Sequence, residues 1–290
     1  MDTKVVTLSD GRKLELQIAG APQSNAIVFH HGTPGASNTW TSWMIEVEKL
    51  GGFTFSYSRP GYGQSDRHEG RTVRDNASDI AEVLEILGIT KIVSIGWSGG
   101  GPHALADSTL PQSRGVISIA GVGAYGANDL DFLDGMGEEN HVEFGAAVQG
   151  PDSIETWMKQ YSPDIAVVTE SQIIEAFGGL IGDADKKALR EGAAEETAAS
   201  YRKSLELSYY GWMDDDLAFV QPWDFDVTKI SVPVELWQGN DDFMVPHAHG
   251  YWLEKHIPNA KLMFVPGEGH ISLGATKRTE ILNNAVSYLS

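Results

Sequence analysis

The stretch "KIVSIGWSGGGPHALA", residues 91–106, changes character at its midpoint. "KIVSIGW" is an apolar run with β-branched residues, the mark of a strand buried on both faces. From Gly99 onward the spacing is helical. Between them Gly96, Trp97, Ser98, Gly99 and Gly100 form the pattern G-x-S-x-G. In a chain with 32 glycines that pattern alone says little. At a strand-to-helix junction it says more. A tight turn there lifts a serine hydroxyl above the sheet edge, and small neighbours let strand and helix pass closely behind it. The plainer reading is a glycine-rich turn without chemistry, so the flanking sequence has to decide.

Outward from this point the chain alternates strand and helix. Residues 4–19 read as a β-hairpin around the turn "SDGR", and "AIVFHH" (26–31) and "FTFSYSR" (53–59) as strands. A helix is expected over 39–51. Thr72 and Asp75 resemble a capping box opening a helix whose stripe is Ile80, Val83, Leu84 and Leu87. "GVISIAGVG" (115–123), "VPVELWQG" (232–239) and "AKLMFVP" (260–266) complete the strands, with helices near 247–256 and 275–289. Such alternation predicts a mostly parallel sheet with helices on both faces. The rhythm breaks over 125–225, which reads as helices such as "DSIETWMKQY", "SQIIEAFGGLI", "DADKKALREG" and "EETAASYRKSLELSYY". The expected organisation is a core of 1–124 and 226–290 interrupted by a helical cap over 125–225.

Composition narrows the function. The formal net charge is −19 and no basic run occurs, so nucleic acid and anionic membrane surfaces are not expected partners. There is no cysteine, which removes thiolate nucleophiles, disulfides and cysteine-ligated metals. No signal peptide or membrane-spanning run is read, and a cytoplasmic chain is expected. His30, His31, His247 and His249 match no metal-ligand spacing, so no metal and no cofactor are expected.

A serine hydroxyl needs a base to take its proton, and the base needs an acid to orient it. On an α/β sheet these groups belong at the carboxyl ends of strands, in the order serine, acid, histidine. "VELWQGNDDFMVP" supplies Asp241 and Asp242 after one strand, and "LMFVPGEGHISL" supplies His270 after the next.

With these pieces the chain resembles the α/β-hydrolase superfamily, in the group with a helical cap between the sixth and seventh strands. The resemblance rests on "HGTPG" (31–35), "SRPGYGQSD" (58–66), "GWSGG" (96–100), "GNDDFMVP" (239–246) and "GEGH" (267–270), spread along the chain in the family's order. It implies the α/β-hydrolase fold. The family's G-x-x-D-x-x-V-P pattern falls on Gly239, Asp242, Val245 and Pro246, which selects Asp242 as the acid and leaves Asp241 to cap the loop or face water. The alternative acid position after the sixth strand reads "IAGVGAYG", with no carboxylate. The resemblance also implies an oxyanion hole from the backbone N–H groups of Thr33 and Gly99. At position 58 the family usually has aspartate, whereas this chain has serine.

The resulting expectation is a serine hydrolase cleaving a small acyl compound, a carboxylic ester first. Ser98, Asp242 and His270 are the catalytic residues, and Trp97 and Met244 contact the substrate. Aminopeptidase action resembling proline iminopeptidases, carbon–carbon bond hydrolysis and lactone hydrolysis are the enzymatic alternatives. A ligand receptor on a hydrolase fold is the alternative from another class. A monomer or homodimer is expected. The aromatic residues over 125–225 are read mainly as core. Glu138, Glu139, Glu143 and the run Asp214–Asp216 are read as a solvated acidic face, with substrate-amine binding as the sharper option. His103 is assigned to helix packing, and His247 and His249 to a surface helix start.

Overall fold

The computed structural model describes residues 1–290. Eight strands form one sheet: β1 (Asp2–Thr7), β2 (Lys13–Ala19), β3 (Asn25–His30), β4 (Thr54–Tyr57), β5 (Lys91–Trp97), β6 (Ser113–Ile119), β7 (Val234–Gly239) and β8 (Ala260–Val265). Their spatial order is β1-β2-β4-β3-β5-β6-β7-β8. β1 and β2 form the expected antiparallel hairpin and β2 pairs antiparallel with β4; all other pairs are parallel.

Parallel strands buried on both faces alternate side chains between two cores. In β3, Ile27 and Phe29 point into one core with Trp40, Trp43, Ile95, Trp237 and Leu282. Ala26 and Val28 point the other way, toward Ile80, Val83 and Leu84. The covering helices are α1 (Thr41–Lys49), α2 (Asp75–Leu87), α3 (Gly100–Ala106), α10 (Ala248–His256) and α11 (Ser272–Leu289). Thr72 and Asp75 hydrogen-bond each other reciprocally ahead of α2: the Thr72 N–H donates to Asp75 Oδ2 at 2.7 Å, and the Asp75 N–H to Thr72 Oγ1 at 3.3 Å.

After β3 the chain moves outward to β4, then returns to place β5 on the other side of β3. That reversal opens a crevice between the carboxyl ends of β3 and β5, where ligands bind in open α/β sheets. His30 is in register with Gly96, so the loop after β3 and the serine turn after β5 leave the sheet side by side.

Between β6 and β7 the chain builds six helices: α4 (Glu138–Gln149), α5 (Pro151–Ile165), α6 (Ile173–Ala176), α7 (Asp183–Ala188), α8 (Ala194–Ser204) and α9 (Tyr210–Phe219). Three differ from expectation. α4 carries Glu138, Glu139, Asn140 and His141 in its first turn, so no clean stripe marks it. α9, "YGWMDDDLAF", is buried on nearly every side, aspartates included, which erases its periodicity. The stretch 171–181 holds only the single α-turn α6 and a following 3₁₀ turn. No helix is long and apolar enough to cross a membrane.

Candidate active site

Ser98 follows the last residue of β5 with φ 57°. A non-glycine residue in the left-handed region is costly and marks a turn that the surroundings enforce. The neighbouring glycines show why. A Cβ on Gly96 would lie 2.1 Å from the Gly100 carbonyl oxygen, and one on Gly100 would lie 2.3 Å from that of His30. Larger residues would push α3 off the sheet and lower the serine.

His270 stands after β8 and Asp242 after β7, both buried. His270 Nδ1 is 2.8 Å from Asp242 Oδ2. The other Asp242 oxygen accepts the N–H groups of Met244 at 3.0 Å and Val245 at 2.8 Å, which fixes the carboxylate. Burial opposes a charged imidazole, but the Asp242 charge, with a contribution from Asp185, outweighs it and raises the His270 pKa above the usual histidine value. The Ser98 hydroxyl makes no hydrogen bond to His270. The two are linked through Trp97, whose ring centroid lies 5.2 Å from that of His270 and whose indole N–H donates to the His270 carbonyl at 2.9 Å.

Thr33 and Gly99 meet across the crevice: a Cβ on Gly99 would lie 2.4 Å from Thr33 Oγ1. Neither backbone N–H is consumed by an internal hydrogen bond. The turn carrying Thr33 is held from behind. Buried Arg59 donates to the carbonyls of His31 and Gly32 and, at 3.1 Å, to Thr33 Oγ1. Thr33 Oγ1 donates to Asp215 of α9 at 2.8 Å, and Arg59 pairs with the same carboxylate at 2.6 Å. Ser58 sits on Glu15: its hydroxyl reaches Glu15 Oε1 at 3.3 Å, so β2 supplies the carboxylate that position 58 lacks.

Neither residue of the histidine pair is free to act as a base. His31 Nδ1 donates to its neighbour's carbonyl, Gly32 O, at 2.7 Å, and Nε2 accepts the Arg59 N–H at 3.0 Å. Burial and the Arg59 charge hold its pKa well below the ordinary value. His30 is buried between the Tyr57 hydroxyl and Asp107, 2.9 Å from each. His103 is buried against Asp215 at 3.3 Å. His249 corrects the surface assignment: it is buried, with Nδ1 accepting the Gly123 N–H at 2.9 Å and Nε2 donating to the Phe132 carbonyl at 3.0 Å. His247 is exposed. No group of three or more His, Cys, Asp or Glu is placed to hold a metal ion.

A cavity of about 320 Å³ opens between the sheet and the inserted helices, lined by Thr33, Ser98, Gly99 and Met244 from the sheet side. Trp157, Tyr161, Phe177 and Trp212 form much of its opposite wall, so four aromatics read mainly as core reach the cavity. Trp97 does not line it. It borders a smaller cavity of about 90 Å³ that Ile271 also lines.

The acidic residues are the largest departure from expectation. Asp214, Asp215 and Asp216 are 2%, 0% and 1% exposed, so they form no solvated face. The signal was the composition around them: "GWM" before and "LAFV" after leave no polar face for three charges to occupy. Asp185 was not singled out. It is buried and accepts the backbone N–H groups of His270, Ile271 and Ser272 at 2.9, 2.8 and 2.8 Å. Asp241 accepts the Ala184 N–H at 3.2 Å, so it caps the start of α7.

Residues 25–274 match the family model for the alpha/beta hydrolase fold. A bifunctional esterase/perhydrolase from Acinetobacter calcoaceticus is 26% identical over 283 residues, covering 91% of this chain and 92% of that protein. A non-heme chloroperoxidase from Streptomyces lividans is 33% identical over 254 residues, covering 84% and 83%. Among solved structures, an esterase from a Rhodococcus species superposes with a TM-score of 0.70 at 19% identity, covering 99% of this chain and all of that one (100%). A sequence match that runs from β3 into α11, laid over a sheet with this strand order, makes the chain a member of the alpha/beta hydrolase fold family and an alpha/beta hydrolase enzyme.

Proposed function

We propose that the protein is a serine hydrolase that cleaves a small acyl substrate, a carboxylic ester first, through a covalent acyl-enzyme. The observations that support this reading are a serine at φ 57° with two uncommitted backbone N–H groups beside it and, in the loops after two further strands of the same sheet, a histidine 2.8 Å from a buried aspartate.

Ser98 turns its hydroxyl toward His270 Nε2, which accepts the proton as Oγ attacks the acyl carbonyl carbon. The carbonyl oxygen gains negative charge within reach of the Thr33 and Gly99 N–H groups, and the N-terminus of α3 adds a favourable dipole. Asp242 keeps Nδ1 protonated and so presents Nε2 as the acceptor; its charge stabilises the imidazolium. The imidazolium returns its proton to the departing alkoxide. Water, deprotonated by His270, then attacks the acyl-enzyme, and Ser98 leaves as the imidazolium returns that proton to its Oγ. The aromatic part of the cavity wall, Trp157, Tyr161, Phe177 and Trp212, suits a compact acyl group.

The test is hydrolysis of p-nitrophenyl acetate. Wild-type protein is expected to turn over and Ser98→Ala to fall to background. Equal turnover by both would overturn the mechanism. Graded ester, lactone and arylamide series rank the bond types.

A further inference from the structure

The three consecutive aspartates of α9 have three different fates. Asp214 is paired with Arg67 at 2.8 Å. Asp215 is paired with Arg59 at 2.6 Å and Arg71 at 2.7 Å, and it also accepts the Tyr62 hydroxyl at 2.8 Å. Asp216 is 1% exposed, and neither of its carboxylate oxygens has a donor. It lines the cavity that holds Ser98.

Three more carboxyls, Glu138, Glu139 and Glu143 of α4, line the same cavity; Glu143 is the least exposed of the three and lies beside Asp216. Its one donor is the Trp212 indole N–H, at 2.6 Å. Two ionised carboxylates only repel each other, so their contact is a bond only while one keeps its proton. Burial and mutual repulsion do favour that state: burial pushes Glu143 up to about 7, and burial with the Glu143 charge pushes Asp216 well above the carboxylate range. The nearby cation Arg71 is already committed to Asp215. A largely aromatic wall that carries four carboxyls, with only the Trp212 N–H as donor to the Glu143–Asp216 pair and no cation of its own, is an arrangement that a ligand completes.

We propose that Glu143 and Asp216 form a subsite for a protonated amine, and that the substrate carries an ammonium group on the part that enters the cavity. An ammonium offers three N–H donors and one positive charge. Seated against both carboxylates, it lets both ionise and satisfies the oxygens that the fold leaves bare. Trp157 and Tyr161 line the same cavity and add aromatic faces that favour a cation. The assignment rests on the hydrolase reading for what happens to the substrate, but the subsite itself is independent of Ser98.

Two measurements separate the claims. In the first, n-hexylammonium is titrated at pH 8, with 1-hexanol as the neutral control of the same length, and the melting temperature is followed. The amine is expected to stabilise the wild type and Ser98→Ala more than the alcohol does, and the difference to vanish in Asp216→Asn. Equal response to amine and alcohol in the wild type, or an undiminished difference in Asp216→Asn, would overturn the subsite. If Asp216→Asn does not fold, Glu143→Gln carries the same comparison. In the second, kcat/KM is measured for p-nitrophenyl esters of ω-amino acids and of chain-matched neutral acids. The wild type is expected to favour an amino ester at one chain length by 10-fold or more, about the effect of 1.4 kcal/mol, and Asp216→Asn to lose that ratio. Hydrolysis with no amine preference at any length would overturn the substrate assignment while leaving the hydrolase reading intact. Amine-specific stabilisation with no hydrolysis of any ester would keep the subsite and remove the hydrolase reading.

Discussion

His270 beside Asp242 and His31 beside Arg59 are both buried imidazoles, shifted in opposite directions. Beside Asp242 the His270 pKa is raised, and the proposed mechanism uses the neutral ring as base. Activity therefore rises with pH through that raised value, and the acid limb of the kcat/KM profile is expected above about 6.5, the ordinary histidine value. In Asp242→Asn the limb moves to lower pH while the plateau falls steeply, by up to about 10⁴-fold where the wrong tautomer results. An unmoved limb would mean that His270 is not the titrating base. His31 acts on shape, through the Gly32 carbonyl and the Arg59 N–H. His31→Gln is expected to cost less than the roughly 10²–10³-fold of a lost oxyanion donor and to leave the limb where it is. His270→Gln should remove the limb with the activity. Total loss from both variants would mean that His31 does more than brace the turn.

Among the elements, the core was readable and the inserted helices only partly so. Strand β5 matches its sequence reading at both ends, and the other core strands fall within a few residues, because a buried parallel strand advertises itself as an unbroken apolar run. The inserted helices bury polar groups against the core, and that hides them from a periodicity argument. α7 illustrates the cost and the use. Its Asp185 ties the backbone at the start of α11 to the insertion, next to His270. Asp185→Ala strands three buried N–H groups, each worth about 1 kcal/mol or more when left unpaired. Melting is expected to fall, with kcat falling more than the affinity for substrate, since the loop bearing His270 loosens. An unchanged kcat in a destabilised variant would confine Asp185 to stability. On α9, Asp215→Ala leaves Arg59 and Arg71 buried without their anion, at about 3–5 kcal/mol by analogy with other broken buried pairs. Urea denaturation measures that loss directly, and a shift of the midpoint below what about 1 kcal/mol produces would contradict the pairing.

Taken whole, the molecule keeps charges that a purely stabilising design would discard. The Glu143–Asp216 pair binds protons in the fold that it lacks when unfolded, so it lowers stability as pH rises above 3.8 for Asp216 and from 4.5 toward about 7 for Glu143, and the penalty persists above that. Buried His31, His103 and His249 act with the opposite sign, since their depressed values make stability fall as pH drops below 6.5. The difference between variant and wild type isolates the pair. Asp216→Asn is expected to melt higher than wild type at pH 8, by about 2 °C for each kcal/mol relieved, and to approach it as pH falls below 3.8, the ordinary aspartate value. The sequence carries the proposed site residues Ser98, Thr33, Gly99, Asp242 and His270 in motifs, because turn geometry demands glycine and proline at fixed spacings. It could not show the carboxylates facing them, because their burial depends on how the insertion folds back. The claim on which the rest stands is that Ser98 is the nucleophile. Reaction with a fluorophosphonate probe, followed by peptide mapping, addresses it most directly. The account predicts a single adduct on Ser98 that forms far more slowly in His270→Gln, and ester hydrolysis that persists with Ser98 unlabelled would contradict it.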